Sequence, residues 1–149
     1  MQLLQRHRLA VVLIVTAAVF AATAIYASAA VSRGVDSEIA VTLGKPKERA
    51  MKTSASSANA GAVKFVVRNN GKLVHEFILL RTKTSAAKLK PQAEDPETVV
   101  ETGFQAELED IEPGHAVALA LALKKGHYVL LCNIKGHYAA GMRADLVLR

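Results

Sequence analysis

The chain has 149 residues, a formal net charge of +6, a single cysteine and no tryptophan. One thiol cannot close an internal disulfide, so a small scaffold stapled by disulfides is excluded. The basic residues are scattered and lack interleaved aromatics, which argues against nucleic acid as a partner.

Arg6, His7 and Arg8 precede an unbroken apolar run, LAVVLIVTAAVFAATAIY, from Leu9 to Tyr26, and the small residues ASAA follow at 27–30. Small residues at 27 and 29 suit a signal peptidase, whereas the run exceeds a usual signal core and nearly suffices to span a bilayer. Residues 1–30 are therefore expected to be a signal peptide or a single membrane anchor, the latter attaching the protein to a membrane through residues 9–26. Either form places residues 31–149 in the periplasm or on the extracytoplasmic face of the membrane. These residues suffice for one domain with a modest core.

Alternation of Ile39, Val41 and Leu43 predicts a strand over 38–43, and a polar, Ser/Ala-rich connection follows over 44–60. GAVKFVVR (61–68) predicts a second strand, with Val63, Phe65 and Val67 on one face. Asn69-Asn70-Gly71 turns the chain, because Asn and Gly accept positive φ cheaply. LVHEFILL (73–80) predicts a third strand, in which His75, Phe77 and Leu79 share a face. Residues 81–114, broken by Pro91, Pro96 and Pro113, read as a long irregular stretch with a short helix near 85–90 or 98–103. HAVALALAL (115–123) suits either helix or strand by propensity, and the turns on both sides tip it to a strand. HYVLLC (127–132) and RADLVL (143–148) complete the set. Short strands punctuated by Gly and Pro turns predict an all-β sandwich or barrel.

Charge is unevenly spread. Eight acids and no Lys or Arg lie between Gln92 and Leu123, while 33–90 is mostly basic. Such asymmetry could orient a protein partner or an anionic surface, though a charge run is more often a solvated loop.

The chemistry concentrates in CNIKGHYAAGM (132–142), where Cys132, His137 and Met142 stand at equal spacing. Cys132 shares strand parity with Tyr128 and Leu130, so its thiol is expected to point inward. Gly136 and Gly141 let the following turn wrap closely. The short loop cannot easily close a ligand plane alone, so a further histidine from another strand, His75, is needed. One thiolate, two imidazoles and a thioether form the trigonal His2Cys set with a weak axial Met that characterises blue-copper electron-transfer sites. Zinc prefers four strong ligands, often in Cys or His pairs, and haem attachment needs C-x-x-C-H. Catalytic use of Cys132 with His137 lacks an oxyanion-hole signature. His127 has the opposite parity from Cys132 and is expected to face away. Tyr128 is expected in the core, and Tyr138 is expected to shield the site from water.

These motifs resemble the cupredoxin family. C-x(4)-H-x(4)-M matches at Cys132, His137 and Met142, and GHYAAGM is similar to the azurin, auracyanin and rusticyanin side of the family. G-x-Y-x-x-x-C matches Gly126–Cys132, N-x-G-x-x-x-H matches NNGKLVH, and IEPG (111–114) resembles the turn before the penultimate hairpin. The resemblance covers 38–149. It implies a Greek-key β-sandwich or barrel, and one copper ion cycling Cu(II)/Cu(I) on His75, Cys132, His137 and Met142. The long stretch Arg81–Gly114 differs from the shortest family members, and two positions depart from the family pattern. Glu76 stands where Asn or Ser often follows the first ligand, and Asn133-Ile134-Lys135 replaces the usual Pro or Thr-Pro.

The function so implied is a type 1 copper protein, not an enzyme, that carries single electrons between protein redox partners outside the cytoplasm. The alternative is a periplasmic copper-binding protein that delivers the ion. A chain with only Met1, Met51 and Met142 as thioethers, and a thiolate that grips copper, favours the carrier.

Overall fold

The computed structural model describes residues 34–149. Nine strands and one short 3-10 turn make up this region: β1 Ser37–Leu43, β2 Met51–Thr53, β3 Ser57–Ala58, β4 Gly61–Asn69, β5 His75–Arg81, the turn Ala86–Lys88, β6 Phe104–Ile111, β7 Ala116–Leu123, β8 Gly126–Leu131 and β9 Arg143–Leu148. They form two mixed sheets, ordered β2-β1-β4-β7 and β3-β9-β8-β5-β6. β1 runs parallel to β4 and β3 parallel to β9, while the remaining strand pairs are antiparallel. Val35–Arg149 forms one compact unit. The expected all-β, cupredoxin-like architecture is therefore present. The N-terminal segment expected as signal peptide or anchor lies outside the described residues. Among the described residues, no helix is long and apolar enough to cross a membrane.

Period-two alternation builds the main core. Ile39, Val41 and Leu43 of β1, with Val63, Phe65 and Val67 of β4, face Phe77 and Leu79 of β5 and Tyr128 and Leu130 of β8, and all are buried. Phe65 and Phe77 join the group with ring centroids 5.3 Å apart. A β-branched or aromatic side chain at every second position suits such a half-buried pleated surface.

β5 and β8 are buried on both faces. Ile78 and Leu80 of β5 and Val129 and Leu131 of β8 form a second apolar cluster with Ala86 and Val99, against which Leu89 and Tyr138 pack. The stretch 81–103 thus covers the outer face of the larger sheet.

Two sequence expectations need correction. Residues 104–111 are a strand, not irregular chain. The alternation of Phe104, Ala106 and Leu108 is interrupted by a bulge. His75 pairs with Ile111 and Phe77 with Leu108, so β6 spends three residues where β5 spends two. Asp110 takes a positive φ of 48° there, a conformation Asp tolerates better than most residues. The polar connection 44–60 likewise contains β2 and β3. The short helix expected near 85–90 or 98–103 forms at the first of these places, as the turn Ala86–Lys88, while near the second Val99 bridges to Pro91.

Candidate metal centre

His75 opens β5, and Cys132 follows the last residue of the neighbouring strand β8. Asn69, fully buried, sets the approach to His75. Its amide nitrogen donates to the carbonyls of Leu73 and Ile111, each at 2.7 Å, and its oxygen accepts the Gly71 N–H at 2.9 Å. The turn NNG is thereby tied to the bulged end of β6.

The loop 132–142 closes on itself. The Cys132 N–H donates to the Met142 carbonyl at 3.0 Å, and the Met142 N–H donates to the His137 carbonyl at 3.1 Å. The backbones of all three motif residues are thus hydrogen-bonded in a chain. Gly136 and Gly141 supply the positive φ values, 76° and 112°, that this tight loop requires.

The side chains converge. His137 Nδ1 lies 3.2 Å from His75 Nδ1 and 3.3 Å from Cys132 Sγ. The three donor atoms all lie within 4.8 Å of one another, and all three residues are buried. Met142 is also fully buried and belongs to the main core with Cys132.

This donor set fits a soft-to-borderline metal ion. Burial pushes both imidazoles below the usual histidine range, with the His75–His137 repulsion adding to the effect at His137, so both are neutral lone-pair donors near pH 7. His75 Nε2 has Glu48 Oε1 at 3.4 Å, without the alignment of a hydrogen bond. An Nε2 proton facing that carboxylate leaves Nδ1 unprotonated toward Cys132 and His137. Burial pushes the Cys132 thiol up to about 11. The backbone N–H groups of Glu76 and Ile134 oppose this at the sulfur, while the Glu76 carboxylate adds to it. A cation bound here would have to displace the thiol proton.

Glu48 is the contributor that the sequence did not reveal. Its Oε1 accepts the N–H groups of Lys72 and Leu73 at 2.7 and 2.9 Å, and these bonds hold its carboxyl below the usual range. A Cβ on Gly71 would collide with that carboxylate, so the glycine makes room for it. Glu76 has a half-buried carboxylate that accepts the Asn133 N–H. Burial foremost, then Glu107, Glu101 and Glu109, raise the Glu76 carboxyl against that hydrogen bond.

Other expected positions fall elsewhere. Lys135 is exposed and pairs with Glu97 at 3.3 Å and Asp95 at 3.7 Å. Tyr138 packs on the second cluster, where its hydroxyl bonds the Ala86 carbonyl and the Leu89 N–H. The ring nitrogens of His127 meet the Thr82 carbonyl at 2.7 Å and Asp145 at 2.8 Å, away from Cys132.

A two-sheet sandwich with a buried His-Cys-His cluster between a strand start and a C-terminal loop defines a cupredoxin-like domain. The sulfocyanin (SoxE) domain family matches residues 51–149, and the chain belongs to that family. Solved structures share the fold. Rusticyanin from Thiobacillus ferrooxidans aligns at TM-score 0.60 and 16% identity, covering 78% of this chain and 79% of its own. A second structure, titled a copper protein rusticyanin, aligns at 0.59 and 18%, covering 78% and 80%. Dithionite-reduced auracyanin from Roseiflexus castenholzii aligns at 0.54 and 22%, covering 78% of this chain and 99% of its own. No curated protein matches the chain.

Proposed function

We propose that the protein is a type 1 copper electron carrier that holds one copper ion on His75, Cys132, His137 and Met142. The observation that carries this reading is the convergence of two imidazole Nδ1 atoms and one thiol within 4.8 Å in a buried pocket. Bound copper would supply a one-electron Cu(II)/Cu(I) couple. The chain's own part is to fix the donors in place. His75 is set by a β-strand and by Glu48. Cys132 is set by β8 and by its backbone bond to the Met142 carbonyl, and His137 and Met142 by the closed loop. Donors held this way change little between oxidation states, which keeps the reorganisation cost of electron transfer small. Burial keeps water from the ligands and disfavours release of the ion. The similarity to a structure titled a copper protein supports the same reading.

The proposal extends to the whole chain. Residues 1–30 export the domain 31–149 as a signal peptide or as a membrane anchor, and the carrier serves protein redox partners in the periplasm or on the extracytoplasmic face. The reading includes no catalytic chemistry.

A visible and EPR titration with Cu(II) tests the ligand set. One equivalent should bind and give an intense thiolate-to-copper band, which Cys132→Ser abolishes. Met142→Leu should keep the copper and shift its reduction potential. A Met142→Leu protein with wild-type spectra and potential would remove Met142 from the set.

A further inference from the structure

We infer that Asn133 is a positioning residue for the metal loop, and that the segment Asp95–Glu101 is a brace to which it fastens that loop. The inference deepens the copper reading and rests on it for its functional meaning, while the contacts themselves stand independently.

Asn133 directly follows Cys132, so whatever fixes Asn133 fixes the thiol. Its side chain is largely buried and fully used. Oδ1 accepts the Val99 N–H at 2.8 Å, and Nδ2 donates to the Val99 carbonyl at 2.9 Å. The amide therefore meets Val99 as an antiparallel strand would, through a reciprocal pair of hydrogen bonds. The second Nδ2 proton goes to Glu101 Oε1 at 2.8 Å, which completes the donor inventory of the amide. Its backbone N–H is taken by Glu76. Three residues further on, the Gly136 N–H donates to the Glu97 carbonyl at 3.2 Å, beside the Lys135–Glu97 ion pair.

The brace has its own foundation. Val99 is buried in the second apolar cluster with Ile78 and Leu131, on the strands that lead to the metal site. Its carbonyl also accepts the Gln92 side-chain amide at 3.1 Å. The loop is thus held from the core side by β8 and from the outer side by Val99. No other residue type of this size supplies both a donor pair and an acceptor there. Aspartate keeps the shape but sets a carboxylate against the Val99 carbonyl and the Glu101 carboxylate, leaving buried groups unpaired.

The test compares Asn133→Asp with wild type by amide hydrogen exchange on the metal-free protein, and by electron self-exchange on the copper-loaded protein. Glu101→Ala, which removes a single partner at the rim, is the milder second variant and keeps the test open if Asn133→Asp does not fold. Ser54→Ala, which removes the hydroxyl that accepts the Ala40 N–H in the other sheet, is the control. Protection of the Gly136, His137 and Met142 amides should drop at least tenfold in Asn133→Asp and two- to threefold in Glu101→Ala. Phe65 and Val67 in β4 should keep theirs, and Ser54→Ala should match wild type at the loop. Self-exchange should slow at least tenfold in Asn133→Asp. The inference is overturned if the loop amides of both variants exchange as in wild type, or lose protection by the same factor as Phe65. A wild-type protein that binds no copper would defeat the copper reading instead, and the exchange data would still decide the brace.

Discussion

Glu48 Oε1 sits 3.4 Å from His75 Nε2 while gathering the N–H groups of Lys72 and Leu73. A carboxylate behind a metal-ligating imidazole fixes the ring and makes its inner nitrogen a better donor, which favours the more highly charged metal state. Glu48→Gln retains an oxygen for the two N–H groups but removes the charge. Cu(II) affinity should fall by about tenfold, and the reduction potential should rise. Spectroelectrochemical titration reads both. An unchanged or lowered potential would mean that Glu48 serves the turn alone.

Asn69 bonds two carbonyls and one N–H from a fully buried position. Asn69→Ala strands those groups and should cost about 2–4 kcal/mol. The midpoint of denaturant unfolding measures this. A loss below about 0.5 kcal/mol would show that the turn relaxes to satisfy them by other means.

Cys132 makes the metal-free protein sensitive to alkali. Its thiol is raised from 9.0 to about 11 in the fold, so between these values the unfolded chain has already lost a proton that the folded chain keeps. The unfolded state then binds fewer protons, and stability falls as pH rises through that window. The loss should approach 2–3 kcal/mol, at about 1.4 kcal/mol per unit. Cys132→Ser should lack this component when unfolding curves at pH 8.5 and pH 11 are compared. The same pH slope in both proteins would contradict the assignment.

Much of the fold was legible because its strands obey a simple period. β1 and β4 alternate cleanly, since each buries one face against the other sheet, and β7 alternates in sequence although of its apolar residues only Leu123 is buried. β6 was not legible: its bulge at Glu109–Asp110 throws Ile111 out of phase with Phe104, Ala106 and Leu108. The apolar residues Ile78, Leu80, Val129 and Leu131 were visible in the sequence, but what covers them was not. Their cover is a Pro-broken stretch whose few apolar residues, Ala86, Leu89 and Val99, carry no period.

The candidate site divides in the same way. Cys132, His137 and Met142 lie in one loop, so spacing alone exposes them, and His75 follows an Asn-Gly turn at a fixed interval. Glu48 lies 27 positions before His75 in a loop with no periodic signal, and only the third dimension brings it beside the imidazole. Gly71, whose missing side chain makes room for that carboxylate, was the one available hint. Asn133 stands out in the sequence as a departure from a family pattern, but its partner Val99 is 34 positions away in the covering segment.

The most direct test of electron carriage is to load the protein with one equivalent of Cu(II), reduce it with ascorbate in the presence of a Cu(I) chelator, and reoxidise it. Electron carriage predicts that the thiolate-to-copper band disappears and returns in full over repeated cycles while the chelator stays empty. Copper passing to the chelator on reduction would contradict it and would make the protein a donor of the ion instead of the electron.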